Sequence, residues 1–355
     1  GAMEIDAGGL TLMPGYIDGH RHIIRGDPNQ WLSEQAPTQM QNFLDAGFTT
    51  VMSCGDPLEA ILELRRRLAE DEISGPRLVV AAWLPLARSA GERPSGDPAR
   101  AEASWVPRKT AAAIPPEDTR ALVRKLNEAG VDAIKTVMMV TPQGPEKETL
   151  KLAVQEAKQL GLPIVTHAVT VMDTVAAVEA GVATLVHTPV DGDMSDEQAR
   201  FIAQAGIPMM STLGVFVPFF SANNEPLFRD GTPFPWERLS HAGEGAVNAR
   251  RLWNAGITYG FGSDTPFGAD TGWLPGDTLA HEVRSLSLVF SPQDIVRIMT
   301  SNSGAAVGRN TEIGTLESGK LADLVLIEGD PLTDSDALSE IRMVIKSGQI
   351  VVDKR

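Results

Sequence analysis

Residues 127–137 read Asn127-Glu128-Ala129-Gly130-Val131-Asp132-Ala133-Ile134-Lys135-Thr136-Val137. A helical stretch closes on a glycine, and a run rich in apolar and β-branched residues follows at once. Glycine suits the end of a helix because the capping residue there needs a positive φ. The same junction recurs in LDAG-FTTVMS, EISG-PRLVVAAW, KQLG-LPIVTH, VEAG-VATLVH, AQAG-IPMMST and WNAG-ITYGFGSD. Its glycines are Gly47, Gly75, Gly130, Gly161, Gly181, Gly206 and Gly256, and each is expected to adopt positive φ. The runs after them are continuously apolar rather than alternating, as in parallel strands covered on both faces. Seven such units, with an opening strand near Pro14–Asp18, give eight strands. That count predicts an α/β fold, a (β/α)8 TIM barrel. An open doubly wound sheet is the alternative.

The predicted barrel spans residues 14–310. Residues 1–13 and 311–355 form a small β-sandwich-like appendage, because the tail from Ile313 changes to short strands (Ala322–Ile327, Ile341–Lys346, Gln349–Val352) broken by Gly and Asp-Pro turns. Gly1-Ala2-Met3 reads as a cloning remnant and stays outside the fold argument. Two connections are long for barrel loops, from Leu84 to about Pro116 and from Val217 to about Leu239. Both leave the C-terminal ends of strands, where barrel active sites are built. They read as lids or pocket walls. The second carries Phe219, Phe220, Phe228, Phe234 and Trp236.

The chain has 355 residues, with 31 Lys and Arg against 46 Asp and Glu, for a net charge of −15. So acidic a chain carries no electrostatic footprint for nucleic acid or an anionic membrane. No run of about 18 apolar residues occurs, so no membrane-spanning helix is expected. The single cysteine, Cys54, excludes an internal disulfide and a Cys-based zinc site. No signal peptide is read, and the expectation is a cytoplasmic enzyme with a small-molecule substrate, working as a homo-oligomer.

The chemistry collects at the predicted strand ends. The first strand ends in Asp18-Gly19-His20-Arg21-His22. The fourth carries Lys135, the fifth ends in His167, the sixth in His187 and the eighth in Asp264. His20 and His22 share a face because strand side chains alternate, so Arg21 points the other way. One histidine at a strand end is usually structural. Four of the six in the chain, joined by a carboxylate, form a first shell for zinc or a similar divalent metal. Lys135 inside an apolar strand is costly if charged and unpaired. One reading is a salt bridge to a carboxylate at the mouth. The other is a neutral amine that takes up carbon dioxide, giving a carbamate able to bridge two metals. His281 reads as a surface helical residue and His241 as a possible pocket residue. Cys54 reads as an inert buried thiol. Arg25, Arg88 and Arg229 are candidates to meet a substrate carboxylate.

The motifs LMPGYIDGHRH, AIKTV at Lys135, THAVT at His167, VEAGVATLVHTPV at His187 and YGFGSDTPFG at Asp264 resemble the amidohydrolase superfamily, in its imidazolonepropionase-like and Xaa-Pro-dipeptidase-like branch. The tail TSNSGAAVGRNTEIGTLESGKLADLVLIEGDPL is also similar to that family's closing segment. The resemblance covers about Leu10 to Leu332. It implies two divalent metal ions, zinc by preference. His20, His22 and Asp264 would hold one and His167 and His187 the other, with carbamylated Lys135 and a hydroxide between them. It implies hydroxide attack on an amide, peptide or cyclic amide carbonyl, with Asp264 as catalytic proton shuttle. A deaminase on the same barrel, a carbamate or ester hydrolase and a non-catalytic scaffold are the alternatives. Two departures from the pattern bear on substrate. Met52-Ser53-Cys54-Gly55-Asp56 stands where relatives often have Arg-Asp, and Ser211-Thr212-Leu213 offers no substrate-binding Tyr or His.

Overall fold

The structure is a computed structural model that describes residues 4–89, 111–141, 144–217, 219–220, 226–227, 239–264 and 274–355. Strands β1 (Thr11–Pro14), β2 (Tyr16–Arg21), β3 (Phe48–Cys54) and β4 (Arg77–Trp83) open the chain. The short pair β5 (Arg88–Ser89) and β6 (Ala111–Ala112) follows, then β7 (Ala133–Val137), β8 (Ile164–His167), β9 (Thr184–Val186) and β10 (Met209–Met210). A second short pair, β11 (Phe219–Phe220) and β12 (Pro226–Leu227), precedes β13 (Tyr259–Gly260). The tail holds β14 (Leu324–Ile327), β15 (Ile341–Lys346) and β16 (Gln349–Asp353).

Eight parallel strands run in the order β2-β3-β4-β7-β8-β9-β10-β13. Backbone hydrogen bonds then join the two ends of that sheet. Gly19 N–H donates to Phe261 O at 2.9 Å, and Asp264 N–H donates to His20 O at 2.8 Å. The fold is therefore the barrel, not the open sheet. Its first strand begins at Tyr16, not near Pro14. Pro14 instead ends β1, and the chain turns at Gly15, where a Cβ would lie 2.2 Å from Thr49 Oγ1.

All seven junction glycines precede a barrel strand. Six have the expected positive φ: 86° at Gly47, 73° at Gly130, 70° at Gly161, 81° at Gly181, 67° at Gly206 and 99° at Gly256. Gly75 does not. It is required for space, since a Cβ there would lie 2.5 Å from Leu68 Cδ2 and 2.7 Å from Met40 Cβ.

The interior is a packed core rather than a pore. Ile17, Met52, Cys54, Val79, Ala81, Ala133, Val165, Val186 and Met210 form one buried cluster with Ala306, Val307 and Ile313. Thr184 Oγ1, at the start of β9, donates to Ala306 O at 3.1 Å, so these last residues close the barrel at its N-terminal end. A larger cluster fills the layer between strands and helices.

The appendage is a four-stranded antiparallel sheet, β1-β14-β15-β16, built from both ends of the chain. Arg77, at the start of β4, binds it to the barrel: Nη1 donates to Asp323 Oδ2 at 2.6 Å and to Thr50 Oγ1 at 3.0 Å. Tyr16, at the start of β2, donates its hydroxyl to Leu338 O at 3.1 Å. The appendage therefore packs on the barrel end opposite the predicted site. Much of both long connections lies outside the described residues, including Phe228, Arg229, Phe234 and Trp236, as do the side chains of Arg88, Phe219 and Phe220. No helix among the described residues is long and apolar enough to cross a membrane.

The two glycine requirements separate on mutation. Gly75→Ala should destabilise the protein by about 1–3 kcal/mol through overpacking. Gly161 has open space around its Cβ position, so Gly161→Ala should cost only the left-handed backbone term, about 1–2 kcal/mol. Denaturant unfolding of both variants checks this. A Gly75→Ala protein of wild-type stability would refute the space requirement.

Candidate active site

The predicted residues meet at the C-terminal mouth of the barrel. His20 and His22 flank Arg21 at the end of β2, and Lys135 lies in β7. His167 ends β8, His187 follows β9 and Asp264 follows β13. Ring centroids are 5.3 Å apart for His20 and His22, 5.1 Å for His20 and His187, and 4.3 Å for His167 and His187. Asp264 faces two of these rings: Oδ2 is 3.6 Å from His20 Nε2 and Oδ1 is 3.6 Å from His22 Nε2.

Regular strands would not bring every one of these groups inward. Val186 belongs to the interior cluster, so the next residue of an ideal strand would face the helices. His187 has φ +76°, which turns its imidazole back into the mouth. The β2–β3 pairing has a register irregularity between Asp18 and Arg21, the segment that carries His20. Asp264 has φ +52° and Thr212, after β10, has φ +44°. Three mouth residues that are not glycine thus hold a sparsely populated conformation, a form of strain that clusters at functional sites.

Polar ties fix the first strand against the last. Asp18 accepts from Ser263 N at 3.1 Å and from Ser263 Oγ at 2.5 Å. Arg21 points away from the mouth, as the alternation requires. Its Nη1 donates to Ser263 Oγ at 2.7 Å, Asp264 O at 2.8 Å and Thr278 Oγ1 at 2.9 Å, and its guanidinium carbon lies 5.4 Å from the Phe43 ring centroid. Asp56 accepts from Ile23 N and Ile24 N at 3.0 Å and from Ser53 Oγ at 2.6 Å, which pins the chain just beyond His22.

Burial is the main electrostatic force here. It drives the His20 imidazole down to about 3, with the nearby Lys135 adding to the effect. His167 and His187 are held well below their ordinary value, first by burial and then by the other site histidines and Lys135, which disfavour a further positive charge. These imidazoles are neutral, the form that donates a lone pair to a metal. Burial alone would raise the Asp264 carboxyl, but His20, His22 and His187 outweigh it and hold the group well below its usual range. Burial lowers the Lys135 amine, the direction a neutral nucleophilic amine needs.

Among the described residues, the buried side-chain atoms with no hydrogen-bond partner include Lys135 Nζ and both ring nitrogens of His20 in the site, with Arg25 Nη2 beyond it and Glu146 Oε1 elsewhere. Lys135 is 2% exposed, and among the described residues no carboxylate closes a salt bridge on it. Ligand atoms of His20, His187 and Asp264 all lie within 4.8 Å of one another, a group that could hold a metal ion. A buried amine and imidazole without hydrogen-bond partners, beside a buried carboxylate, fit a divalent cation in both charge and donor type.

Other residues fall as follows. Cys54 is buried, and burial pushes its thiol up to about 12, so it is inert as expected. Arg25 stands beyond His22 and is half-buried, with Nη2 buried and unpartnered. His241 lies in the helix Leu239–Ala255, but its side chain is outside the described residues. His281 corrects the surface reading. It is buried, and Nε2 donates to Gly214 O at 2.9 Å and Val217 O at 3.0 Å. Sequence reasoning missed Glu282, which is buried beside it, and Thr212. It also missed Trp83, which stands in register with Lys135 and leaves 44% of its surface open to solvent. A glutamate on the buried face of the helix Pro275–Leu286 was the one available signal.

The profile of the amidohydrolase family matches residues 11–351. The chain belongs to the amidohydrolase family. That membership makes it a hydrolase acting on carbon–nitrogen bonds. Among characterised proteins, it is 32% identical to the imidazolonepropionase of Shouchella clausii over 111 residues, 30% of this chain and 24% of that protein. It is 22% identical to the imidazolonepropionase of Porphyromonas gingivalis over 391 residues, 99% of this chain and 83% of that protein. Among solved structures, a Xaa-Pro dipeptidase with bound methionine superposes with a TM-score of 0.71 at 20% identity, over 96% of this chain and 86% of that one. A molinate hydrolase superposes with a TM-score of 0.74 at 21% identity, over 98% and 84%.

The neutral imidazoles set the pH dependence of the metal-free fold. His20, His22, His167, His187 and His281 are all lowered. In the unfolded chain each takes up a proton near pH 6.5, and that uptake favours unfolding as pH falls. Asp18, raised to about 6, and Glu282, raised to about 7, bind protons more readily when folded and oppose the trend. Five groups outweigh two. The melting midpoint of chelator-treated protein should fall between pH 7.5 and pH 5. A midpoint that rose over that range would show that the histidines are not buried neutral.

Proposed function

We propose that this amidohydrolase is a metal-dependent hydrolase that cleaves an amide, peptide or cyclic amide bond at the barrel mouth. The observation that carries the reading is the buried grouping of His20, His187 and Asp264 beside an unpartnered Lys135 amine. His20, His22 and Asp264 would hold one divalent ion and His167 and His187 a second, with zinc the preferred metal. Lys135, as its carbamate, would lie between them. When bound, such ions supply Lewis acidity and make water nucleophilic near neutral pH.

The protein's own groups do the rest. Asp264 is held ionised, so it accepts the proton of the attacking water and returns it to the leaving nitrogen. The seam from Asp18 to Ser263 keeps that carboxylate against His20. Arg25 is the candidate to meet a substrate carboxylate, because its buried Nη2 has no partner. Trp83 offers an apolar wall on the Lys135 side. His241 remains a candidate pocket residue. The division into a barrel (14–310) and an appendage (1–13 and 311–355) is part of this proposal, as is a homo-oligomeric cytoplasmic enzyme.

A deaminase would need an acid soon after His167. The first one, Asp173, is occupied elsewhere: it accepts Val140 N–H at 2.8 Å. A dead scaffold would have no need of the whole ligand set.

Metal analysis and a hydrolysis screen of zinc-loaded protein test the proposal, using N-acyl amino acids, Xaa-Pro dipeptides, aryl amides and cyclic amides. Protein that neither bound a divalent ion nor turned over any of these would refute it. Asp264→Asn keeps the shape and one coordinating oxygen but cannot carry the proton. Its kcat should fall by about 10²–10⁴, with KM moving far less and the metal at His167 and His187 retained. Lys135→Ala should lose the second metal, and a variant that kept two would count against a bridging carbamate.

A further inference from the structure

The segment after β10 has a geometry that the chemistry above does not use. Thr212 is β-branched yet has φ +44°, a region such residues avoid. Its hydroxyl Oγ1 lies 2.6 Å from His187 Nδ1. Its methyl, Cγ2, lies 3.1 Å from where a Cβ on Gly262 would be, beside His20. The backbone on either side is clamped by one buried side chain. Glu282 accepts from Ser211 Oγ at 2.6 Å and Leu213 N at 3.0 Å through one oxygen, and from Gly214 N at 2.6 Å through the other. His281 holds the same turn through Gly214 O and Val217 O. A Cβ on Gly214 would lie 2.8 Å from Glu282 Oε2, so this close approach needs glycine. The helix Pro275–Leu286 thus grips residues 211–217 and forces Thr212 into a costly conformation.

A strained residue whose strain is over-determined by its surroundings points to function. What the strain achieves is visible: it sets the Thr212 hydroxyl oxygen 2.6 Å from Nδ1 of His187, where it can accept that nitrogen's proton, the tautomer whose lone pair lies on Nε2. We propose that Thr212 is a positioning residue for His187, fixing its ring orientation and tautomer for metal binding, and that Glu282 holds Thr212 in place to do so. Partners of this kind behind a metal-binding histidine are typically worth 10–100-fold in metal affinity. The inference rests on the metal reading above.

The test compares Thr212→Gly and Thr212→Ser with the wild type, by zinc competition against a chromogenic chelator and by melting of the metal-free proteins. Glycine removes the hydroxyl but also relieves the backbone, so the metal-free Thr212→Gly protein should melt at or above the wild-type midpoint. Its zinc affinity should nevertheless fall about 10–100-fold. Serine restores the hydroxyl and should bind zinc within a few-fold of wild type. A Thr212→Gly variant that binds zinc as tightly as wild type would overturn the inference alone, as would a serine variant as weak as the glycine one. Wild-type protein that took up no zinc would overturn the metal reading and this inference with it.

Discussion

The hydrogen bond from Asp264 N–H to His20 O joins the last barrel strand to the first, and the site depends on it. Without closure, the carboxylate and the first two histidines would stand at opposite edges of a sheet. Side chains around the bond support it. Asp18 accepts from Ser263 Oγ, and Arg21 binds the same Ser263 oxygen, the Asp264 carbonyl and Thr278. Asp18 and Arg21 are both buried and each favours the other's charged form, so losing either would weaken the seam.

The site is arranged around keeping its bases neutral in a strongly acidic chain. Burial disfavours charge on each histidine, and a proton on the neighbouring Lys135 amine would add to that effect. The cost includes two polar groups in the site, His20 and Lys135, with no hydrogen-bond partner among the described residues. Such groups are among the most expensive features a fold can carry. Tolerating them is understandable when a ligand supplies the partners.

Much of this was legible in the sequence, because it follows from period and residue type. Continuous apolar runs after capping glycines give parallel strands, and alternation puts His20 and His22 on one side with Arg21 on the other. What could not be read has a common cause. Gly75 looks like the other junction glycines, but its reason is contact with Met40 and Leu68, which are distant or unremarkable in sequence. His187 reaches the mouth through a positive φ that histidine seldom adopts, and Thr212 through one that threonine avoids. Propensity argues against both, and only tertiary clamps such as Glu282 make them possible. His281 was misread because a helix shows its buried face only once its neighbours are in place.

The position of the closing seam has a consequence for biosynthesis. Its two halves lie 245 residues apart in the Asp18–Ser263 bond, and the appendage sheet pairs β1 with β14, later still. Early strands can pair with their neighbours as they leave the ribosome, but His20 waits for Asp264 and β1 waits for Leu324. A chain that stalls midway therefore carries several ligand-type side chains without an assembled centre. Catalytic competence arrives late and all at once, so an unfinished polypeptide cannot begin hydrolysing what lies around it.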